Sequence, residues 1–152
     1  MKQPAAIVPE LCVHDGLAAL DFYARAFGAT ELGRMMSPDG TKLLHADLRV
    51  NGHALVVFDE FTPSEGGTLR CPLSLGGTAA RMILHVEDAD ASVRRAVAAG
   101  ASVMMPVTEM FWGARYAKLK DPFGHEWGIN QQIEDLSADE EAARSKEYFD
   151  RR

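Results

Sequence analysis

The sequence has little of what membrane-spanning, secreted and nucleic-acid-binding proteins need. Its 152 residues contain no apolar run that approaches the ~18 residues of a membrane-spanning helix. The stretch after Met1 reaches Pro9 and Glu10 too early to build the apolar core of a secretory signal. Its two cysteines cannot form a disulfide framework, which favours a reducing, cytoplasmic location. Lys and Arg number 16 against 22 Asp and Glu, so neither nucleic acid nor a membrane is an expected partner.

What the sequence does contain is two successive runs with the same predicted order of elements. In the first run, residues 5–13 predict a strand, and the following helix ends at Gly28, a residue typical of helix C-caps. Three strands follow, separated by turns at 37–40 and 51–52. The second run predicts a strand, a helix and three strands at 81–86, 89–99, 101–105, 116–120 and 126–130. Both runs are therefore β-α-β-β-β modules.

Three pairs of matched segments indicate that the second run is a duplicate of the first. Gly28-Ala29-Thr30 corresponds to Gly100-Ala101-Ser102, and Gly52-His53 corresponds to Gly124-His125. The third pair is Leu11-Cys12-Val13 and Leu84-His85-Val86. The matches keep the same order and nearly the same offset, which is the pattern of an internal repeat. We expect a single α+β domain over 1–152, with modules at 5–61 and 80–133. A Gly/Pro-rich linker at 62–79 and a charged helical tail at 134–152 complete it.

The motifs of both modules resemble those of the vicinal oxygen chelate superfamily, which includes glyoxalases, bleomycin-resistance proteins and extradiol dioxygenases. Asp21-Phe22-Tyr23 looks like the first-helix signature, and Asp121-Pro122-Phe123-Gly124-His125 looks like the last hairpin. Residues 105–128 are similar to a glyoxalase-like subgroup named after a phosphonate-operon protein. The resemblance implies that the modules form a curved, cup-like mixed sheet in a homodimer, paired within one chain or swapped between two. It does not specify a reaction.

The resemblance also implies where a metal would bind. Metal-dependent members take one ligand, usually His or Glu, from the first and fourth strands of each module. In this sequence the corresponding residues are Val8, Val56, Arg81 and Gly128. None of them ligates a metal through its side chain in the usual way, so we expect no metal cofactor at this site. A displaced divalent-metal site built from Glu10, His45 and His85 is left open.

Strand alternation predicts which side chains line the cup. The predicted lining is rich in polar groups and comprises Glu10, Cys12, His45, Asp47, Arg81, His85 and Glu126. Buried charges are costly unless paired, so such a cluster favours a ligand cavity over a sealed core. Arg81 would hold an anionic or carbonyl-bearing ligand. In the structural alternative, Arg81 instead pairs with Glu126 or Glu10.

A local aromatic set lies in the glycine-containing loop of the second module and comprises Phe111, Trp112 and Tyr116. Flat rings at the mouth of a cup suit stacking on a planar ligand. The same rings would equally serve to pack the loop down or to form a dimer contact.

We therefore expect a protein that binds a small organic molecule without the usual four-ligand metal site. Whether it is an enzyme stays open. One alternative is a metal-dependent isomerase, lyase or dioxygenase with displaced ligands. Another is a metal-free acid/base enzyme that uses His85 and Glu10. The expected partners are the small-molecule ligand and a second copy of the chain.

Overall fold

The computed structural model describes residues 5–152, which form two compact units with the same internal plan. The first unit contains the chain up to Ala79 together with Phe123–His125. The second contains Ala80–Pro122 and the residues from Glu126 onward. Each unit has a four-stranded mixed sheet with helices, so the predicted α+β class with a C-terminal helix is confirmed.

The first unit has a sheet with the strand order β1-β4-β3-β2, in which only β1 and β4 are parallel. Its elements are β1 (Glu10–Val13), α1 (Gly16–Phe27), β2 (Thr30–Met36), β3 (Leu43–Val50), β4 (His53–Asp59) and α2 (Pro72–Leu75). Helix α1 begins after Asp15, whose carboxylate accepts a hydrogen bond from the Ala18 N–H. It ends at Gly28, whose φ of 67° is the left-handed conformation that the sequence predicts.

The second unit repeats this order as β5-β8-β7-β6. Its elements are β5 (Arg81–His85), α3 (Ala89–Ala99), β6 (Ser102–Met110), β7 (Ala114–Lys120), β8 (Glu126–Gln132) and α4 (Ala138–Asp150). Leu119, Trp127 and Ile129 are buried on the sheet face that α3 covers. Strand β6 extends beyond the predicted 101–105 and includes Pro106, which is tolerated because β6 is an edge strand.

Two segments of the first unit differ from the sequence prediction. The first strand begins at Glu10 rather than at residue 5, because Pro9 has no N–H for a ladder, although its carbonyl accepts from Val56 N at 3.0 Å. The predicted linker at 62–79 contains a 3-10 turn (Pro63–Glu65) and α2. The Glu60 carboxylate orders this segment by accepting hydrogen bonds from its backbone and side chains.

Helix α4 begins at a capping box formed by Ser137 and Glu140, with each side chain bonded to the other residue's backbone N–H. It packs on its own unit through Phe111, whose ring centroid lies 5.3 Å from that of Tyr148 and 6.0 Å from that of Phe149. Throughout residues 5–152, no helix has both the length and the apolar composition that a membrane crossing demands.

Candidate functional site

The uncovered face of the second sheet collects most of the predicted site residues of that unit. Parallel pairing places Arg81 opposite Glu126 and His85 opposite Asn130, and antiparallel pairing places Tyr116 opposite Asn130. Because side chains alternate along each strand, all of these residues point to the face opposite the buried core. Ile83 shares this face and is 54% exposed, so the face is open.

Arg81 and Glu126 form an ion pair on this face, where β5 and β8 begin. The guanidinium donates to the Glu126 carboxylate at 2.7 Å, and both side chains are partly exposed. The hydrogen bond to Glu126 raises the pKa of Arg81 above its ordinary value, and interaction with Tyr116 adds to this rise. Of the two partners that the sequence allows for Arg81, the structure selects Glu126. A guanidinium has five N–H donors, so this pair leaves it the capacity to bind an oxygen atom of a ligand.

Tyr116 owes its position to Gly128. The Tyr116 ring lies across β8, and a Cβ atom added at Gly128 would be 2.5 Å from the tyrosine Oη and 2.9 Å from Cε2. Only a residue without a side chain leaves this space to the ring. The phenol, which is 7% exposed, therefore stands beside Arg81 where the side chain of residue 128 would otherwise begin.

Asn130 connects the tryptophan of the loop to His85. The Trp112 indole, which can only donate, lies 3.4 Å from Asn130 Oδ1, so the amide nitrogen of Asn130 faces His85 Nδ1 at 3.3 Å. In the tautomer that suits this contact, Nδ1 accepts from the amide and Nε2 carries the hydrogen. In this tautomer His85 can donate a hydrogen bond through Nε2.

The aromatic loop is divided between two roles. Trp112 packs edge-on against Tyr116 with a centroid distance of 5.6 Å and belongs to the polar face through its bond to Asn130. Phe111 contacts Trp112 edge-on at a centroid distance of 5.0 Å and also packs against α4, as described above. Phe111 thus packs the loop against α4, one of the roles that the sequence allows, and stacking of the three rings on a ligand stays a prediction.

The first unit holds the other four predicted residues on one face of its sheet. Glu10 is the register partner of Val56, and Asp47 is also paired with Val56 on the opposite side. His45 and Asp47 lie two residues apart on β3, with His45 Nε2 3.2 Å from the Asp47 carboxylate. Within residues 5–152, the Glu10 side chain forms no ion pair or hydrogen bond, and it is exposed. Within residues 5–152, Glu10 therefore adds an unpaired carboxylate to this face.

Cys12 lies on the same strand but is shielded from solvent. It is 4% exposed, and its Sγ is 3.8 Å from the Leu69 carbonyl. Burial, together with the nearby Cys71 and Glu60, raises the pKa of the Cys12 thiol to about 12. Cys12 is therefore a packing residue in the reduced chain and a poor nucleophile.

The residues present do not fit the metal ligand set that the resemblance implies. In the second unit, one ligand position carries the Arg81 cation, and the other is Gly128, whose side-chain space the Tyr116 hydroxyl fills. Among the described residues of the chain, no group of three or more His, Cys, Asp or Glu side chains is placed to hold a metal ion. Glu10 and His45 belong to the first unit and His85 to the second, so a displaced site using all three stays a prediction.

Two residues that shape the site on this face, Asn130 and Gly128, are not among the predicted site residues. Asn130 is 6% exposed and fixes the His85 ring, and Gly128 determines the place of Tyr116. Alternation from Glu126 along β8 marks both as facing the site. Alternation does not show that Gly128, because it has no side chain, leaves room for the Tyr116 ring from the neighbouring strand.

Comparison with known proteins gives a consistent result. The sequence model of the Glyoxalase/Bleomycin resistance protein/Dioxygenase superfamily matches residues 5–129. The uncharacterized protein Mb0911c of Mycobacterium bovis is 44% identical over 143 residues, which cover 93% of each chain. The crystal structure of TioX from Micromonospora sp. ML1 is 30% identical, with a TM-score of 0.66, and covers 86% of this chain and 100% of that one. The crystal structure of the fosfomycin resistance protein FosX from Listeria monocytogenes is 14% identical to this chain, with a TM-score of 0.66. The match covers 93% of this chain and 99% of that one, and it shows a shared fold.

Proposed function

Because this chain belongs to the Glyoxalase/Bleomycin resistance protein/Dioxygenase superfamily, we propose that it binds a small organic molecule through an oxygen-recognising site without the usual four metal ligands. The ligand carries a carboxylate or a polarised carbonyl, which is held on the open face of the second sheet. Within the superfamily we place the chain in the phosphonate-operon-type subgroup, on the motif in residues 105–128.

The observation that carries this proposal is the set of hydrogen-bond donors on that face. The Arg81 guanidinium and the Tyr116 hydroxyl lie side by side, and the assigned tautomer of His85 adds an Nε2–H on the same strand as Arg81. Donors of this kind recognise an oxygen atom with negative or partial negative charge, and a guanidinium does so with two parallel N–H groups. Trp112 beside Tyr116 supplies an apolar surface for the body of the ligand.

The test compares the binding of three probes of the same size by isothermal titration calorimetry. Benzoate carries the anionic group, benzamide a neutral carbonyl, and benzyl alcohol neither. We expect benzoate to bind most tightly and Tyr116→Phe, which removes only the hydroxyl, to weaken it by roughly three- to tenfold. Arg81→Gln combined with Glu126→Gln removes the ion pair without leaving a lone charge and is expected to weaken benzoate further.

Two results would contradict the proposal. Equal affinity for benzoate and benzyl alcohol would show that the donors do not recognise oxygen. A stoichiometric divalent metal in the purified protein, lost together with ligand binding on treatment with a chelator, would show that a metal fills the role we give to Arg81 and Tyr116. Elemental analysis before and after chelation measures this directly.

We also infer that the protein acts as a homodimer in a reducing cytoplasm. The dimer is supported by β2, whose outer edge pairs with no other strand among residues 5–152 and on which Leu32 and Met35 are 58% and 62% exposed. The compartment is supported by Cys12 and Cys71, both of which are free thiols. Light scattering coupled to gel filtration tests the dimer, and a monomer at micromolar concentration would refute it.

A further inference from the structure

The first unit contains a hollow that the site described above does not use. It has a volume of about 380 Å³ and lies on the open face of the first sheet. Its floor is formed by Glu10, Leu44 and Phe58, and its wall by Phe61 and the chain from Glu65 to Leu69. A volume of this order accommodates a small organic molecule. Phe58 and Phe61 supply flat apolar surface for it.

The wall of the hollow is held in place at both ends, so the hollow is formed before any ligand arrives. At one end, Lys42 Nζ bonds to both oxygens of Glu65 at 2.9 and 3.0 Å, and the Thr62 N–H donates to the same carboxylate at 2.8 Å. At the other end, Glu60 accepts from Arg70 Nε at 2.7 Å and from the Cys71 N–H at 2.9 Å. A preformed wall lowers the entropy cost of binding.

The tight path of this wall depends on Gly67. A Cβ atom at this position would lie 1.9 Å from the carbonyl oxygen of Phe61 and 2.5 Å from its carbonyl carbon. Both are backbone atoms, so a side chain cannot be accommodated by a change of rotamer. The glycine therefore permits the close return of the chain that shapes the hollow.

The carboxylates around the hollow differ in whether they have hydrogen-bond partners. Hydrogen bonds from Thr62 and Lys42 lower the pKa of Glu65 to about 2, and hydrogen bonds from Cys71, Ser74 and Arg70 do the same for Glu60. Both carboxylates are thus committed to holding the wall. Glu10 has no such partner within residues 5–152, so it gives the hollow one unneutralised negative charge.

We propose that this hollow binds an organic cation, an amine or a quaternary ammonium group on an aromatic or aliphatic body. Glu10 is the counter-charge, and Phe58 and Phe61 receive the apolar part. The Lys42 ammonium, 4.6 Å from the centroid of the Phe61 ring, is paired with Glu65, so its positive charge is already balanced and does not cancel that of Glu10. This site uses residues of the first unit alone and does not depend on the oxygen-recognising site of the second.

The experiment uses the full chain and phenethylamine as the probe, with 2-phenylethanol as its neutral counterpart of the same shape. Affinities are measured by calorimetry, and the binding position by amide chemical-shift changes. We expect phenethylamine to bind more tightly than 2-phenylethanol and to shift the amides of Glu10, Phe58 and Phe61. The variant Glu10→Gln is expected to weaken phenethylamine by roughly three- to tenfold and to leave 2-phenylethanol unchanged.

A matched control and a second variant keep the outcomes distinct. Asp21→Asn removes an exposed carboxylate on α1, outside the hollow, and is expected to leave the affinity for phenethylamine unchanged. Gly67→Ala is expected to abolish binding of both probes while the amides of the second unit keep their positions. The proposal is overturned if the cation and the alcohol bind alike, if Glu10→Gln binds phenethylamine as the native chain does, or if the shifts lie outside the hollow. Benzoate binding and its loss in the Arg81 variant are read separately, so failure here leaves the proposed function untouched.

Discussion

The contact between Gly128 and Tyr116 leads to a testable prediction: whether Gly128→Ala destabilises or stabilises the protein should depend on the presence of the Tyr116 ring. An alanine Cβ at 128 would lie 2.5 Å from the Tyr116 Oη, about 0.9 Å inside the 3.4 Å at which ordinary contact begins. Trp112 packs on the ring at a centroid distance of 5.6 Å, so the ring cannot tilt away without a cost. Overpacking of this kind costs about 1–3 kcal/mol.

A second effect acts in the opposite direction. Replacing glycine by alanine where the backbone is compatible stabilises a protein by about 0.4–1 kcal/mol, because the unfolded chain loses freedom. Gly128 lies inside β8 and is not among the glycines with a left-handed backbone, so this gain applies to it. In the native chain the clash outweighs the gain, and we expect Gly128→Ala to destabilise the protein by about 0.5–2 kcal/mol.

In the Tyr116→Ala background the clashing ring is absent and only the gain remains. The same substitution, Gly128→Ala, should then stabilise the protein by about 0.4–1 kcal/mol. Urea unfolding followed by tryptophan fluorescence measures all four chains of this double-mutant cycle. If Gly128→Ala has the same sign and size in both backgrounds, the ring does not depend on the missing side chain, and our account of the site's geometry is refuted.

Three further predictions concern the first unit. The buried Asp59 carboxylate accepts hydrogen bonds from Gly16 N and Leu43 N, both at 2.6 Å. Asp59→Asn should therefore lower the free energy of unfolding, measured with urea, by about 1.5–3 kcal/mol. An unchanged free energy of unfolding would contradict the role of the Asp59 charge. The pKa of Glu60 is lowered from 4.5 to about 2, so the stability that this carboxylate contributes is present above pH 4.5 and is lost as the pH falls towards 2. Glu60→Gln should therefore flatten the pH dependence of the urea midpoint over this range. An unchanged slope would refute this prediction. Cys12, with a pKa of about 12, should react with a disulfide reagent at pH 8 only after unfolding in urea, so rapid labelling of the native chain would count against its burial.

The local signals of the sequence predict most of the fold. Asp15 and Gly28 mark the ends of α1, and the Asn51-Gly52 turn, with φ of 49° and 79°, joins β3 to β4. These features depend on neighbours in the chain, so a reader of the sequence can find them. The boundaries that fail are those where pairing matters more than composition, at the proline-containing start of β1 and along the edge strand β6.

The ordering of the segment at 62–79 was not predictable in the same way. Its Gly and Pro content suggests a linker, yet Glu60 and Lys42 hold it over the sheet through contacts with residues well separated in the chain. Periodicity and turn propensity carry no information about such contacts. The hollow beside Glu10 follows from this long-range anchoring.

The sequence by itself determined the duplication, the α+β class and the side chains that share a face, because repeat offsets and strand alternation are properties of the chain. The tertiary structure alone decided which of those side chains are committed. It paired Arg81 with Glu126, turned Phe111 to α4, let Tyr116 occupy the space above Gly128 and left Glu10 unpaired within residues 5–152. The physical reason is that hydrogen bonds and close contacts are decided by distances across neighbouring strands and loops, which the order of residues does not specify.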